Sequence, residues 1–293
     1  RIIIMGDLIK KLRDLTGAGF VDCKKALEAS NNNIDEAIQW LQKNGAAKAV
    51  KKQNNIAAEG IVAVAKNDQK AIIYEVNCQT DFVAMNEDFK KLVASIGVIL
   101  LSNNFSNDNF LQCVDPISKK TIEELTVEAT AKIGEKISLR RLNLIERKEG
   151  INVGAYSHFD GKKAALFIAK GGTDDKLKGI AMHIVAMNPE YINEQQVPAN
   201  IIQDLKDKFA NSPALNGKPD KIKESILAGM LRKELSNNVL TEQEYVVESG
   251  KTVAQYLKEI NATELEMIRY EVGEGIEKVE VDFASEVAAQ MKK

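Results

Sequence analysis

The sequence predicts an α+β fold preceded by a small helical module. A strand–turn–strand–helix pattern opens at Glu59-Gly60-Ile61 and recurs from Glu149-Gly150-Ile151, whereas residues 1–44 show apolar positions at helical spacing only. Residues 200–238 add two apolar stripes too narrow for a globular core, which suits an antiparallel helical hairpin. At 293 residues the chain has room for two medium domains, or one with appendages. Its 44% hydrophobic and 28% charged residues are those of an ordinary soluble globular protein. The net charge of −2 argues against direct nucleic-acid binding, which needs a broad basic surface. Apolar runs stay below membrane-spanning length, so no membrane contact is expected. The opening Arg1 to Met5 is too short for a secretory signal peptide.

Residues 1–44 read as three short helices. Leu8, Leu12 and Leu15 recur at helical spacing until Thr16-Gly17-Ala18-Gly19 interrupts them. Asp22 can cap a second helix carrying Ala26 and Leu27, which Asn31-Asn32-Asn33 ends. A third helix carries Ile34, Ala37, Ile38 and Leu41, with Gly45 beyond its end. This spacing, with its Gly-Phe turn, resembles a ubiquitin-associated (UBA) module, which is too small to have much core of its own. Residues 45–58, with Lys48, Lys51 and Lys52, read as a basic linker. The charge run is either solvated or a partner contact.

The first core half is assigned to 59–148. Its strand pair turns at Asn67-Asp68, ends near Val76, and leads to a helix showing Phe89, Leu92, Val93, Ile96 and Leu100. The second half, 149–199 and 239–275, turns at Asp160-Gly161, with a second strand through Ala165, Phe167 and Ile168. Its helix shows Leu177, Ile180, Ala181 and Ile184. Both stripes follow a period of about 3.6 residues. The string KIGEKISLRR (132–141) echoes EVGEGIEKVEV (271–281). Two related halves are therefore expected, each a small antiparallel sheet covered by helices. The inserted hairpin, 200–238, carries Ile201, Leu205 and Phe209 on one helix and Ile222, Ile226 and Met230 on the other. A C-terminal module, 276–293, is read as a helix from Asp282 to Met291.

The segment around Phe82 is the chief candidate site. Thr80 suits a helix N-cap and Asp81 the first turn, where the helix dipole favours an acid. Phe82 has two readings: a core aromatic stapling the helix start to the sheet, or an exposed anchor for another protein. The repeat bears on the choice. Matching Thr80-Asp81 with Thr173-Asp174 puts Phe82 on Asp175, and matching Phe89 with Leu177 leaves the Phe82 segment without a counterpart. In either alignment the second half builds its core without this aromatic.

The stretch EVNCQTDFVAMNEDF, Glu75 to Phe89, closely resembles a signature of the bacterial elongation factor Ts family, the guanine-nucleotide exchange factors for elongation factor Tu. A second stretch, LRDLTGAGFVDCKKAL from Leu12 to Leu27, resembles the family's other signature, in the right order, and the resemblance covers nearly the whole chain. Met85 departs from it, standing where the family usually has a basic or polar residue. The resemblance implies an exchange factor, not an enzyme, with no cofactor, metal or nucleotide of its own. It implies that Thr80, Asp81, Phe82 and Val83 face the GTPase domain of elongation factor Tu, where the Phe wedges beside the helices that support Mg²⁺. The Mg²⁺ and phosphate site is then disturbed and GDP leaves. The family's positions imply further contacts through Ile133, Gly134, His158, Arg13, Phe20, Val21, Lys24, Val246 and Val247, and a hairpin that reaches a second domain of the partner. Read without the resemblance, Arg13 and Lys24 form a solvated helix face, Phe20 either plugs the helical core or stands exposed, and Val246-Val247 looks like a strand.

Other chemistry is poorly supported. A GxxxxGK[ST] loop is missing, so the chain is not a P-loop GTPase. Cys23, Cys78 and Cys113 have no paired spacing, which fits a reducing cytoplasm without a disulfide framework. His158 and His183 lack metal-ligand spacing with them, and His183 is expected to be structural. A Cys78–His158 pair has no accompanying acid or oxyanion motif. Two competing function classes remain: a UBA-like binding adaptor without exchange activity, and a cysteine hydrolase.

Overall fold

The computed structural model describes residues 5–16, 18–106 and 108–277. The helix expected over 282–291 lies outside them. The chain begins with α1 (Met5–Thr16), α2 (Phe20–Ala29) and α3 (Ile34–Lys52). Ile9, Leu12, Cys23, Ala26, Leu27 and Ala37 form a small buried core, against which Ile34, Ile38, Trp40 and Leu41 pack. Leu15, expected in the stripe, is exposed. Thr16 Oγ1 donates to Leu12 O at 2.7 Å as α1 ends. Asp22 does not cap α2. Gly19 holds the N-cap position without a side-chain bond, because Phe20 is already helical, and Asp22 falls in the first turn. Asn31 and Asn32 adopt φ of 49° and 66°, a left-handed conformation that Asn tolerates better than most residues. Asn33 Oδ1 then caps α3 by accepting from the amides of Asp35 and Glu36.

The linker reading fails over its first part, since α3 runs on to Lys52. Gly45 does not stop this helix because packing gives it another use. A Cβ there would sit 2.8 Å from Ala131 Cβ, so the missing side chain lets α3 lie close against a later helix.

Next come β1 (Glu59–Lys66), β2 (Lys70–Cys78), α4 (Asp81–Met85), α5 (Glu87–Ser102), α6 (Ile122–Ile133) and β3 (Ser138–Glu146). The second pattern follows as β4 (Ile151–Ser157), β5 (Lys163–Lys170), α7 (Asp174–Met187), α8 (Ala199–Ala210), α9 (Asp220–Leu235), α10 (Val253–Glu259) and β6 (Thr263–Glu271). Among the described residues the strands form two three-stranded sheets, in the orders β1-β2-β3 and β4-β5-β6. The strand pairs fall where the sequence predicts them, but each sheet has a third strand that was not expected. Part of the proposed echo, residues 278–281, lies outside the described residues, and the starts of the two strings differ in structure. Lys132 and Ile133 end α6, with Gly134 as its left-handed C-cap, whereas Glu271 closes β6 and a turn follows.

The described residues fall into two compact units. One lies within 1–61, 75–141 and from 271 onward, and the other comprises 62–74 and 142–270. Strand β2 is divided between the units after Tyr74, and it is buried along its whole length, which suits a central strand flanked on both sides. Its burial includes Glu75. This carboxylate accepts from Arg141 Nε at 2.6 Å, Arg140 at 3.2 Å, Asn77 Nδ2 at 2.9 Å and the Gly273 amide at 2.8 Å. Both guanidiniums also reach the turn after β6, Arg140 donating to Glu274 O and Arg141 to Glu271 O. Burial alone would raise the Glu75 pKa, but the Gly273 amide, Asn77 and Arg141 outweigh it and hold the carboxyl below its ordinary range.

In the second unit, α7 covers β4 and β5. Gly154 permits the contact, since a Cβ there would meet the Leu177 carbonyl carbon at 2.1 Å. The core includes Phe167, Leu177, Ile180, Ile184, Leu240, Tyr245 and Leu257. Thr173 caps α7, and Asp174 accepts from Lys66 at 2.7 Å, from Arg147 through two bonds of 3.0 Å, and from the Val153 amide at 2.9 Å. Helices α8 and α9 pack on each other. Their inward face matches the one read in the sequence in part: Leu205 packs inward and Phe209 is buried. Ile202, Leu205 and Leu231 pack on Val197, Leu235 and Val239, while Ile201 and Ile222 are exposed. Among the described residues no helix is long and apolar enough to cross a membrane.

Glu75→Gln removes the charge that both arginines share. Breaking one side of a buried ionic cluster costs about 3 kcal/mol, which should appear as a lower urea midpoint at pH 7. Because the folded-state pKa is depressed, this stabilisation is complete above the unfolded value of 4.5 and is lost as pH falls through the lower folded value. The gap between wild type and variant should therefore narrow in acid. An equal gap at every pH would contradict this account.

Candidate functional site

Phe82 settles one question left open by the sequence. It is 82% exposed, so it does not staple α4 to the sheet. Met85 is exposed beside it, and Ala84 is the buried residue of α4. The helix has only five residues and then breaks at Asn86, whose Oδ1 starts α5 by accepting from the amides of Asp88 and Phe89. The second unit runs straight from Thr173 into α7 with no such preliminary turn. Phe89 and Leu177, each fully buried near the start of its covering helix, correspond best. The Phe82 segment is thus an extension with no counterpart in the second half.

So short a helix cannot sustain itself in water. Here it is fastened at its entrance. Thr80 Oγ1 accepts from the Val83 amide at 3.3 Å, and the Cys78 thiol donates to Thr80 O at 3.2 Å. Glu135, just past the α6 C-cap, supplies the rest. Its Oε2 accepts from the amides of Gln79 and Thr80 at 3.1 and 3.0 Å, and its Oε1 accepts from Thr80 Oγ1 at 2.7 Å. Gln79 Oε1 in turn accepts from the Lys136 amide at 2.8 Å. Lys132 pairs with Asp88 at 2.9 Å, and that hydrogen bond and charge hold the Asp88 carboxyl below its usual range. Ile133 and Gly134 are thereby brought beside the Thr80–Phe82 segment. Glu135 was missed in the sequence, where its only signal was an acid following a helix-ending glycine.

The two Thr-Asp helix starts have diverged. Burial would raise the Asp174 pKa, but Lys66, the Val153 amide and Arg147 hold it low, and its oxygens are fully engaged. Asp81 is exposed, and no described residue pairs with it. Asp81 and Phe82 thus form an exposed acidic–aromatic pair that the packing of α4 does not use.

The remaining candidates are also accessible. Arg13, Phe20 and Val21 are exposed on the helical module, and Phe20 therefore does not plug its core. Lys24 pairs loosely with Glu28 at 3.8 Å. In the second unit His158 follows β4 in the hairpin turn, its Nδ1 2.8 Å from Asp160, with Phe159 fully open to solvent. Val246 and Val247 lie in a turn, not a strand, and both are about half exposed. His183 explains why. It is fully buried on α7, where its Nδ1 accepts from the Val246 amide at 3.3 Å, so Nε2 carries the proton and donates to Gln243 Oε1 at 2.8 Å. These bonds tie Gln243 and Val246 to α7, while Gln243–Tyr245 pair briefly with 251–253 before the turn. Cys78 is fully buried, so its thiol is not offered to a substrate. Among the described residues no cluster of His, Cys, Asp or Glu could hold a metal ion.

Comparison with known proteins gives one answer. Residues 79–274 match the family model described as Elongation factor TS, and residues 5–49 match that described as Elongation factor Ts, mitochondrial, N-terminal. The elongation factor Ts of Mycoplasmopsis pulmonis is 52% identical over 286 residues, covering 98% of this chain and 97% of the relative. That of Mycoplasma mobile is 47% identical over 292 residues, covering 99% of each, and that of Malacoplasma penetrans is 44% identical over the same span.

The His183 geometry has a pH consequence. Burial pushes its pKa below 6.5, the ordinary value, so the neutral ring is the folded form. Its contribution is complete above 6.5 and is lost as pH falls toward the lower folded value. The protection of the Val246 amide against hydrogen exchange, corrected for intrinsic rate, should decline as the buffer is acidified below that point. Protection independent of pH down to the acid limit of folding would refute it.

Proposed function

The chain belongs to the elongation factor Ts family, and from that premise we propose that it binds elongation factor Tu carrying GDP and promotes GDP release. Asp81 and Phe82 act on the partner's GTPase domain, where they disturb the Mg²⁺ and phosphate site and so allow GTP to load. The observation that carries this reading is the exposure of Phe82 on a helix start fastened by Thr80 and Glu135. Thr80 and Val83 frame the wedge, and Ile133 and Gly134 extend it. Arg13, Phe20, Val21 and Lys24 supply contacts from the helical module, and His158, Val246 and Val247 supply contacts from the second unit. The α8–α9 hairpin reaches a second domain of the partner. The work takes place in the cytoplasm and makes or breaks no covalent bond.

Magnitudes limit what Phe82 can do by itself. Burying one Phe side chain contributes about 1.5–3 kcal/mol. Weakening a nucleotide a thousandfold needs about 4 kcal/mol. Other contacts must therefore also favour the nucleotide-free partner. The coupling is reciprocal, so GDP or GTP weakens the grip of this protein by the same factor that this protein weakens theirs. That symmetry lets one molecule serve many partners in turn.

Substoichiometric protein should accelerate release of labelled GDP from elongation factor Tu. Phe82→Ala should cut the acceleration by at least about tenfold, as expected for a central interface anchor, with an unchanged melting temperature because the ring is exposed. Wild-type activity in Phe82→Ala would remove this residue from the mechanism. No acceleration by the unaltered chain would favour the UBA-like adaptor, a reading that exposed Phe20 and Val21 also suit.

A further inference from the structure

We propose that Glu135 is the positioning residue of the exchange site, fixing the direction in which Phe82 is presented. The proposal rests on the functional reading of Phe82 given above. Its own support is geometric. One carboxylate takes the amides of two consecutive residues, Gln79 and Thr80, together with the Thr80 hydroxyl, at 3.1, 3.0 and 2.7 Å. Those are the residues through which the chain leaves β2 and enters α4. Hydrogen bonds to an ionised acceptor are among the stronger ones available to a protein. The segment they hold is a five-residue helix with a single buried side chain, Ala84, so burial contributes little to fixing its orientation. Glu135 itself is set by its place directly after Gly134, whose left-handed conformation (φ 92°) turns the chain out of α6, and by the neighbouring Lys136 amide bound to Gln79. An anchor held in its bound direction before the partner arrives loses less freedom on binding. A loose one loses most of its leverage, since small misplacements at a working site cost large factors in rate.

Three variants test this. Glu135→Ala removes all three bonds. Glu135→Gln keeps the important ones, because its amide oxygen can accept from both backbone amides while its NH₂ faces the Thr80 oxygen. The third pairs Glu135→Ala with Phe82→Ala. The maximum rate of labelled-GDP release from elongation factor Tu should fall about tenfold in Glu135→Ala and stay within about twofold of wild type in Glu135→Gln. In the Phe82→Ala background Glu135→Ala should cause no further loss, because it acts through that ring. Amide exchange of Val83 and Ala84 in the free protein should quicken in Glu135→Ala and not in Glu135→Gln.

A folded Glu135→Ala protein with wild-type release would overturn the proposal, as would losses that multiply in the double variant or unchanged exchange at Val83 and Ala84. If Phe82→Ala itself proves fully active, the functional reading fails, and the exchange measurement still decides whether Glu135 fixes the segment. Should Glu135→Ala not fold, Glu135→Asp, whose carboxylate is one methylene too short to span all three donors, replaces it with the same expectations.

Discussion

A buried negative charge governs the first unit. Glu75 lies in the middle of a strand with no access to water, and a carboxylate there is tolerable only if its oxygens are saturated. Saturating them recruits two arginines from β3, an asparagine from β2 itself and an amide from the turn after β6. Segments far apart in sequence are therefore tied to the two oxygens of one carboxylate. The strand so fixed runs directly into Gln79, Thr80 and Phe82. The placement of the exposed Phe82 segment thus begins with a charge that is itself fully buried.

The duplication shows how such a site can arise. Both halves build a hairpin and lay a helix over it, and both begin the helical segment with Thr-Asp. In the second half the aspartate is consumed by Lys66, Arg147 and the Val153 amide. In the first, a helical turn has been interposed before the covering helix, and the aspartate is left open beside an aromatic ring. Phe89 is fully buried near the start of its covering helix, as Leu177 is in the other half. The site could be added without rebuilding the core.

Much of the fold was legible in the sequence, for identifiable reasons. Hairpins turning at Asn67-Asp68 and Asp160-Gly161, and helices with stripes at Phe89–Leu100 and Leu177–Ile184, depend on local periodicity and turn chemistry, which one sequence displays. The third strands were not legible. In β3 and β6 charged residues stand where a buried strand would carry apolar ones, and Arg140 and Arg141 are there to serve Glu75. The course of α3 past Gly45 depends on Ala131, and the turn at Val246 on His183, so neither could be inferred from its own neighbourhood. The exposure of Phe82 was half legible. The repeat showed that the core did not require it, but only geometry could show where the ring points. Glu135 was invisible because its partners lie more than fifty residues away.

The helical module has a spectroscopic consequence. Trp40 is the single tryptophan of the chain, and it packs on the small core formed by α1, α2 and α3. Its emission is therefore a private reporter on that module, with the sheets and the hairpin dark at the same wavelength. In a denaturation followed jointly by this fluorescence and by far-ultraviolet dichroism, noncoincident curves would reveal the N-terminal helices detaching as a separate cooperative unit, with no label introduced anywhere.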